Sequence, residues 1–171
     1  AGDAATAPQY QQKAKEHQQA GEKLFSESAE ACFNLSMMAG TVNQTLEWLN
    51  RALELDPGHY DSLKARALTY YARKDYDRMD TDASMMIGNR PNDSQGYALR
   101  AIARREKAIR RKDEKELLNE AIRDHDKAIQ LAGDEAELYD QRRRTHLQRA
   151  NFESALADAR ACVRLQPDRG I

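Results

Sequence analysis

Ala52-Leu-Glu-Leu-Asp-Pro57 is a short apolar phrase that ends at a turn residue, and its recurrence along the chain indicates the fold. The phrase returns as Ala128-Ile-Gln-Leu-Ala-Gly133 and Cys162-Val-Arg-Leu-Gln-Pro167, with a degraded copy in Met86-Ile-Gly-Asn-Arg-Pro91. Pro57 and Pro91 define one interval, and Pro91 and Pro167 are separated by two such intervals and eight further residues. Because proline and glycine both end helices, the chain is predicted to repeat at this interval, with one insertion of eight.

Each repeat is predicted to hold two helices. In residues 60–73, Leu63, Ala67 and Tyr70 fall on one stripe of a helix, and residues 76–87 repeat the pattern after a short turn. One hairpin of two helices cannot bury both of its faces, so hairpins must stack on their neighbours. The sequence therefore predicts an all-α protein made of stacked helical hairpins.

The repeat resembles the tetratricopeptide (TPR) family, whose units are helix–turn–helix hairpins of about 34 residues. The interval from Pro57 to Pro91 has this length. The similarity rests on Ala65-Arg-Ala-Leu-Thr-Tyr-Tyr71, Asp75-Tyr-Asp77 and Glu120-Ala-Ile-Arg-Asp-His-Asp-Lys-Ala-Ile-Gln-Leu131. It implies a right-handed α-solenoid of about four repeats. The implied TPR domain is 26–171, with repeats at 26–59, 60–93, 94–135 and 136–169.

The segment 1–25 precedes the first repeat and is predicted to be flexible or to cap it. Residues 9–24 favour helix and are mostly polar, as a capping element requires, and we expect Trp48 to pack beneath them. At the other end, Leu156, Ala159 and Val163 form a face with no capping helix after it. We expect either that the natural chain continues beyond residue 171, which we favour, or that this face pairs with another subunit.

Arginine stands at Arg66, Arg100 and Arg142, where the family usually has an apolar residue. This substitution resembles a common bacterial variant of the motif, so a bacterial protein is expected. The eight inserted residues belong to the third repeat and are placed in 109–118. Four extra residues on each helix would add about one turn to each, which predicts a longer hairpin. A disordered excursion is the alternative, and the Lys, Glu and Leu residues there favour helix.

Composition limits the classes of function. The chain of 171 residues has a formal net charge of -1, which argues against general binding to nucleic acid or to anionic membranes. No apolar run approaches the roughly 20 residues that a membrane span needs, so a soluble protein without membrane insertion is expected. The small residues 1–8 are typical of a mature exported chain or of a linker. The compartment, cytoplasmic or periplasmic, stays open.

The sequence contains no motif for catalysis, metal or cofactor binding. It lacks glycine-rich phosphate loops and His-Glu-x-x-His, and its two cysteines, Cys32 and Cys162, form no Cys-x-x-Cys pair. Asp124-His125-Asp126 is the one local constellation, but adjacent helical residues point in different directions. His125 shares a repeat position with Leu49, Ala83 and Ala159, which predicts a buried structural histidine. We therefore expect no enzyme, no metal and no cofactor.

The resemblance implies that the first helices of the hairpins line a concave groove that binds a peptide. An apolar floor rimmed by charge suits a peptide with hydrophobic anchors. The alternative for Leu68 and Ile102 is packing against neighbouring hairpins. The groove positions carried over from the family are Glu27, Glu30, Asn34 and Met37; Asp61, Lys64, Leu68 and Tyr71; Ala98, Ile102 and Arg105; and Asp140, Arg144 and Leu147.

The carboxylate clamp of the co-chaperone members of the family does not carry over. Of its matching positions only Asn34 fits, and Glu30 would repel a carboxylate. The positions compared are Glu30, Asn34, Ala65, Gln95 and Leu99.

A basic run at Arg104, Lys107, Arg110 and Arg111 is a second candidate surface, a docking patch for an acidic partner. The alternative is a helix that faces its acidic sister within the long hairpin, joined by salt bridges. No aromatic residues interleave with the basic ones, so nucleic acid is not expected.

The predicted function is an adaptor or scaffold that binds a protein or peptide partner in the groove. The alternatives are self-assembly through the uncapped C-terminal repeat, or a regulatory part of a larger TPR protein. A fold of this kind does not identify its partner.

Overall fold

The structure is a computed structural model that describes residues 12, 13, 15, 28–111 and 115–166. Most of the segment 1–25, Glu27 and the turn at Pro167 lie outside the described residues. From residue 28 to 166 the described chain is helical apart from its turns, which confirms the predicted all-α fold. In residues 28–111 and 115–166 the helices are α1 (Ala29–Met38), α2 (Val42–Leu55), α3 (Tyr60–Ala72), α4 (Tyr76–Asn89), α5 (Ser94–Arg111), α6 (Lys115–Ala132), α7 (Ala136–Gln148) and α8 (Phe152–Leu165).

The chain divides into two compact units, residues 1–62 and 63–171. The N-terminal unit contains the hairpin α1–α2, and the boundary falls inside α3. The C-terminal unit contains three hairpins, α3–α4, α5–α6 and α7–α8, in which α4 packs on α5 and α6 on α7. Pro91 and Gly133 lie in the turns between successive hairpins of this unit, where the repeat places them.

The turns inside the hairpins α3–α4 and α7–α8 are set by local hydrogen bonds. Lys74 and Ala150 both have φ of 59° and lie at equivalent places after α3 and α7. The backbone N–H of the residue after each of them closes the helix end. Asp75 donates to the carbonyl of Tyr70 and Asn151 donates to the carbonyl of His146, both at 2.9 Å. The side chains of Asp75 and Asn151 then accept the N–H groups that begin α4 and α8.

The described residues of the predicted insertion, 109–111 and 115–118, are helical. Helices α5 and α6 have 18 residues each, whereas α3 and α7 have 13 and α4 and α8 have 14. The third hairpin is thus longer than its neighbours by about one turn on each helix. Residues 112–114, between the two long helices, lie outside the described residues.

Each hairpin of the C-terminal unit is joined by a bidentate arginine–aspartate pair. The arginine lies on the first helix and donates from Nε and Nη2 to the two carboxylate oxygens of an aspartate on the second helix, at distances of 2.6–3.0 Å. All three aspartates are buried, and a tyrosine ring lies 5.4–6.0 Å from each guanidinium. The pairs are Arg66–Asp82, Arg100–Asp124 and Arg142–Asp158.

The arginines that replace an apolar residue are therefore one half of a buried ion pair. Hydrogen bonding to Asp158 raises the pKa of Arg142 well above its usual range, against the opposing effect of burial. A buried carboxylate is tolerated only when its charge and its lone pairs are satisfied, and the two-pronged guanidinium satisfies both oxygens. Each pair consequently fixes one register between its two helices.

The N-terminal unit fills the same place with apolar groups. The positions one repeat before Arg66 and Asp82 are Cys32 and Trp48. Cys32 is buried with Ala29 and Ala52, and Trp48 packs against this cluster. Packing of Trp48 beneath residues 9–24 stays a prediction, because those residues, except for 12, 13 and 15, lie outside the described part of the chain.

His125 is buried in the C-terminal unit, at the interface of α6 and α7. The hydroxyl of Thr145 donates to the Gln141 carbonyl, so His125 Nε2–H donates to Thr145 Oγ1 at 3.1 Å and Nδ1 is the unprotonated nitrogen. Burial first, and then the nearby charges of Arg105, Arg142 and His146, lower the pKa of His125 to about 3. The neutral ring is thus part of the folded state, as predicted for a structural histidine.

We expect the loss of one partner of an arginine–aspartate pair to destabilise the protein more than the loss of both partners. Asp82→Ala strands the Arg66 guanidinium and should destabilise the protein by about 3 kcal/mol, whereas Arg66→Leu with Asp82→Leu should cost much less. Urea unfolding followed by circular dichroism measures the difference. Glu116→Ala, which breaks an exposed pair with Arg123, serves as the control and should leave the midpoint unchanged. A double variant as unstable as Asp82→Ala would contradict this account.

We expect His125 to make the protein sensitive to acid. Its pKa is lower in the folded than in the unfolded chain, so its contribution is fully present above pH 6.5 and is lost as the pH falls towards 3. In that window the free energy of unfolding should fall by up to about 1.4 kcal/mol per pH unit from this group. Urea unfolding between pH 4 and 7 should show a shallower dependence for His125→Leu, the residue found at the equivalent Leu49. Equal pH dependence in the wild type and in His125→Leu would contradict the assignment of this acid sensitivity to His125.

Candidate partner-binding surface

Three large apolar side chains stand out on the first helices of the C-terminal unit. Leu68 and Tyr71 on α3 and Leu147 on α7 are 45%, 43% and 42% exposed. Leu68 shares its repeat position with Ile102 and Arg144, and Tyr71 shares its position with Leu147. We call the set Leu68, Tyr71, Ile102, Arg144 and Leu147 the first-helix surface.

The remaining predicted groove residues of this unit contribute less exposed surface. Lys64, Ala98 and Ile102 are half-buried. Arg105 lies only 5% exposed, and its Nη1 donates to Gln141 Oε1 at 3.0 Å while Nε and Nη2 donate to Glu106. Arg105 therefore joins α5 to α7 beneath the surface, and does not form the charged rim that its position predicted.

Charges on α7 are paired with one another. Asp140 accepts hydrogen bonds from Arg143 at 2.6 Å and from Arg144 at 2.8 Å. Burial alone would raise the pKa of Asp140, but the two guanidinium groups together hold that pKa below its usual value. Arg144 is exposed and already shares this carboxylate, so its charge is partly neutralised where it meets the first-helix surface.

An aromatic corner lies at the end of α3. The rings of Tyr71 and Tyr76 are 6.1 Å apart between centroids and tilted by 51°. The Arg110 guanidinium lies 5.7 Å from the centroid of Tyr76, and its Nη1 donates to the carbonyl of Lys74 at 2.9 Å. Burial first, and then the charges of Glu106 and Tyr71, raise the pKa of Tyr76, which keeps its hydroxyl neutral at physiological pH.

The basic run of α5 is largely paired with acidic residues of α4 and α6. Arg104 contacts Asp124 at 2.8 Å and Glu120 at 3.4 Å. Lys107 contacts Asp77 and Asp80, both at 2.9 Å, and these contacts raise its pKa although burial opposes them. Arg111 lies 3.7 Å from Asp77.

This arrangement matches the salt-bridge alternative more closely than the docking patch. The acidic partners come from α4 as well as from the sister helix α6. Docking of an acidic partner on the complete run stays a prediction.

The N-terminal unit holds four described groove residues, Glu30, Asn34, Met37 and Asp61, and Asp61 is exposed. Glu30 accepts from Asn34 at 3.5 Å and contacts His59 Nε2 at 3.1 Å. His59 Nδ1 accepts hydrogen bonds from the N–H and the hydroxyl of Ser62. These bonds cap the start of α3 and leave the ring proton on Nε2. Met37 is 70% exposed. Glu30 and Asn34 are thus paired within this unit.

The described residues contain no group of three or more His, Cys, Asp or Glu side chains that could hold a metal ion. Burial raises the pKa of both Cys32 and Cys162, which keeps the thiols protonated. None of the described helices is long and apolar enough to cross a membrane.

Sequence reasoning missed two features of this region. The anchoring of Arg110 depends on the turn at Lys74, which only the fold brings beside it, 36 residues away in sequence. The aspartate partners of the arginines were also missed, although a signal exists. Each aspartate follows its arginine by 16 residues, or by 24 in the hairpin with the insertion.

The sequence matches no protein-family model and no curated protein. Several solved structures share the fold. MamA from Desulfovibrio magneticus RS-1, residues 41 to the end, superposes with a TM-score of 0.71 at 15% identity, covering 84% of this chain and 78% of that one. TTC0263, a thermophilic TPR protein of Thermus thermophilus, gives 0.70 at 18% identity, covering 81% and 75%.

A third similar structure is the first TPR of Spaghetti (RPAP3), bound to the HSP90 peptide SRMEEVD. Its TM-score is 0.63 at 17% identity, and the match covers 73% of this chain and 95% of that one. At sequence identities this low, the superpositions establish a shared fold and do not identify the binding partner of this chain. The hairpins, their period and these superpositions agree, and the chain has the tetratricopeptide-repeat fold.

Proposed function

We propose that the C-terminal unit is a binding module that holds a peptide segment of a protein partner on the first-helix surface. The observation that carries the proposal is the exposure of Leu68, Tyr71 and Leu147 on equivalent faces of α3 and α7. Large apolar side chains gain by leaving water, and clustered exposed ones are typical of interaction sites.

The dimensions suit a short extended peptide. Packed helices lie roughly 8–10 Å apart, so α3 and α7, with α5 between them, are separated by on the order of 20 Å. An extended chain rises about 3.3 Å per residue. A segment of about six residues would therefore reach from Tyr71 to Leu147 with an apolar side chain at each end. The peptide-bound RPAP3 structure shows that this fold can hold a short peptide, which supports the proposal.

The function follows from binding, not from chemistry on the partner. The exposed charge of Arg144 beside the surface is paired with Asp140. Such groups orient a partner and set its register. We infer an adaptor role, in which recruitment of the partner is the output.

Affinity capture with the complete chain tests the proposal. Tyr71→Ala and Leu147→Ser should each reduce recovery of partner proteins from an extract of the source cell by about tenfold, as expected for apolar anchors. Met85→Ala, an exposed apolar residue on α4, is the matched control and should leave recovery unchanged. Equal recovery by all variants would place the binding surface elsewhere.

The exposed apolar residues of the first-helix surface should contribute little to the packing of the core. Leu68→Ser should change the free energy of unfolding by less than about 0.5 kcal/mol, as surface changes usually do. Leu63→Ala, on the same helix and fully buried, should cost about 2–5 kcal/mol. Urea unfolding compares the two, and a large loss for Leu68→Ser would mean that this residue is core.

A second candidate function, self-association, is favoured by the outer face of α8. Phe152, Leu156 and Val163 are 69%, 53% and 46% exposed. The positions of Leu156 and Val163 match Ile122 and Ile129 of α6, which are half-buried where α7 packs on that helix.

If a second copy covers this face, light scattering should show a mass that rises with concentration, and Leu156→Glu should return it to the monomer value. A monomer at all concentrations would remove this candidate and leave the first untouched.

A further inference from the structure

Arg110 differs from the other cations of its helix because no described acidic group contacts it. Arg104, Lys107 and Arg111 each contact at least one carboxylate. Among the residues that the structure describes, Arg110 has none within ion-pair distance; its recorded partners are the Lys74 carbonyl and the Tyr76 ring.

The guanidinium is nevertheless held in one place. One N–H is bonded to a backbone carbonyl at 2.9 Å, and the group lies 5.7 Å from the Tyr76 centroid. Arg110 remains exposed. A guanidinium carries five N–H donors in a plane, so donors remain for a group that arrives from solvent. A donor fixed before binding costs less conformational entropy when it binds.

The described carboxylates near Arg110 already have partners. Glu106 lies one helical turn before Arg110, and its Oε1 accepts from both Nε and Nη2 of Arg105 at 3.3 and 3.0 Å. Asp77 feels the charge of Arg110 at longer range, but its first partner is Lys107. A further anion beside Arg110 therefore meets a cation that no described carboxylate holds.

The apolar neighbour of Arg110 is equally well defined. Tyr76, whose ring lies beside the guanidinium, contacts the ring of Tyr71. Tyr71 and Leu68 lie one turn apart on α3, and both are exposed. The cation and an exposed apolar patch thus meet at one corner of the C-terminal unit.

We propose that Arg110 binds the carboxylate of an aspartate or glutamate in the partner peptide, directly beside an apolar residue that packs on Leu68 and Tyr71. The recognised segment is thus an apolar residue flanked by acidic ones. The inference rests on the proposed peptide-binding function and names the chemistry of its partner. Charge complementarity selects the acidic residue, and the exposed leucine and tyrosine select its neighbour.

A library of random twelve-residue peptides displayed on phage tests this with the complete chain as bait. Peptides selected by the wild type should be enriched in Asp or Glu next to Leu, Ile, Met or Phe. Those selected by Arg110→Gln should keep the apolar residue and lose the acidic one. Arg160→Gln, which removes an exposed arginine on α8, is the matched control and should select the wild-type sequences.

Fluorescence anisotropy then measures one selected peptide and its copy with every Glu and Asp replaced by Gln and Asn. The acidic peptide should bind the wild type about tenfold more tightly, as expected for a charge-assisted hydrogen bond, and Arg110→Gln should abolish that preference. Arg110→Lys keeps the charge without the planar fork and should retain part of it. Circular dichroism checks that each variant is folded.

The possible results separate the two proposals. Selection of apolar peptides with no acidic enrichment, or an unchanged preference in Arg110→Gln, overturns the role of Arg110 and leaves peptide binding in place. No enrichment over an unrelated bait overturns peptide binding and this inference with it.

Discussion

The bidentate contact between an arginine of the first helix and a buried aspartate of the second is the constraint on which the C-terminal unit depends. Its three copies place a carboxylate in the interior of each hairpin, where any sliding of one helix against the other would strand a charge. Alanines of the same helices, such as Ala67, Ala101 and Ala121, are fully buried, and their small side chains let the helices approach closely. Apolar packing supplies the driving force, and the ion pair selects one register from the several that small side chains would tolerate.

The N-terminal unit shows that the fold does not require the charge. Cys32 and Trp48 occupy the equivalent positions and bury apolar surface instead. Apolar replacement of a buried ion pair is often neutral or favourable for stability, so the difference between the units is one of specificity. A bulky indole accepts several orientations, whereas a two-pronged hydrogen bond accepts one.

Turn residues and helical spacing predicted the hairpins because these depend on local chemistry. Pro91 and Gly133 lie in turns where helices end, and the helices α5 and α6 are each longer by about one turn. Arg105 shows where such reasoning stops. The repeat position of Arg105 gives the direction of its Cα–Cβ bond. Its long side chain nevertheless reaches Glu106 on its own helix and Gln141 on α7. Pairings between helices depend on where side-chain ends meet, which spacing along one helix does not encode.

The distribution of paired and unpaired charge bears on how such a surface could discriminate between partners. A cation already matched by a carboxylate, as Arg144 is by Asp140, gains little from a second anion, because the new contact competes with an existing one and with water. Arg110 has no such contact to lose among the described residues, and its position is fixed by the Lys74 carbonyl and the Tyr76 ring. A chain with 32% charged residues can thus remain selective, since ion pairs such as Arg100–Asp124 and Lys107–Asp80 already match charges between its helices. Under the proposed function, discrimination would rest on groups such as Arg110, which no described carboxylate contacts, beside apolar side chains that supply the affinity.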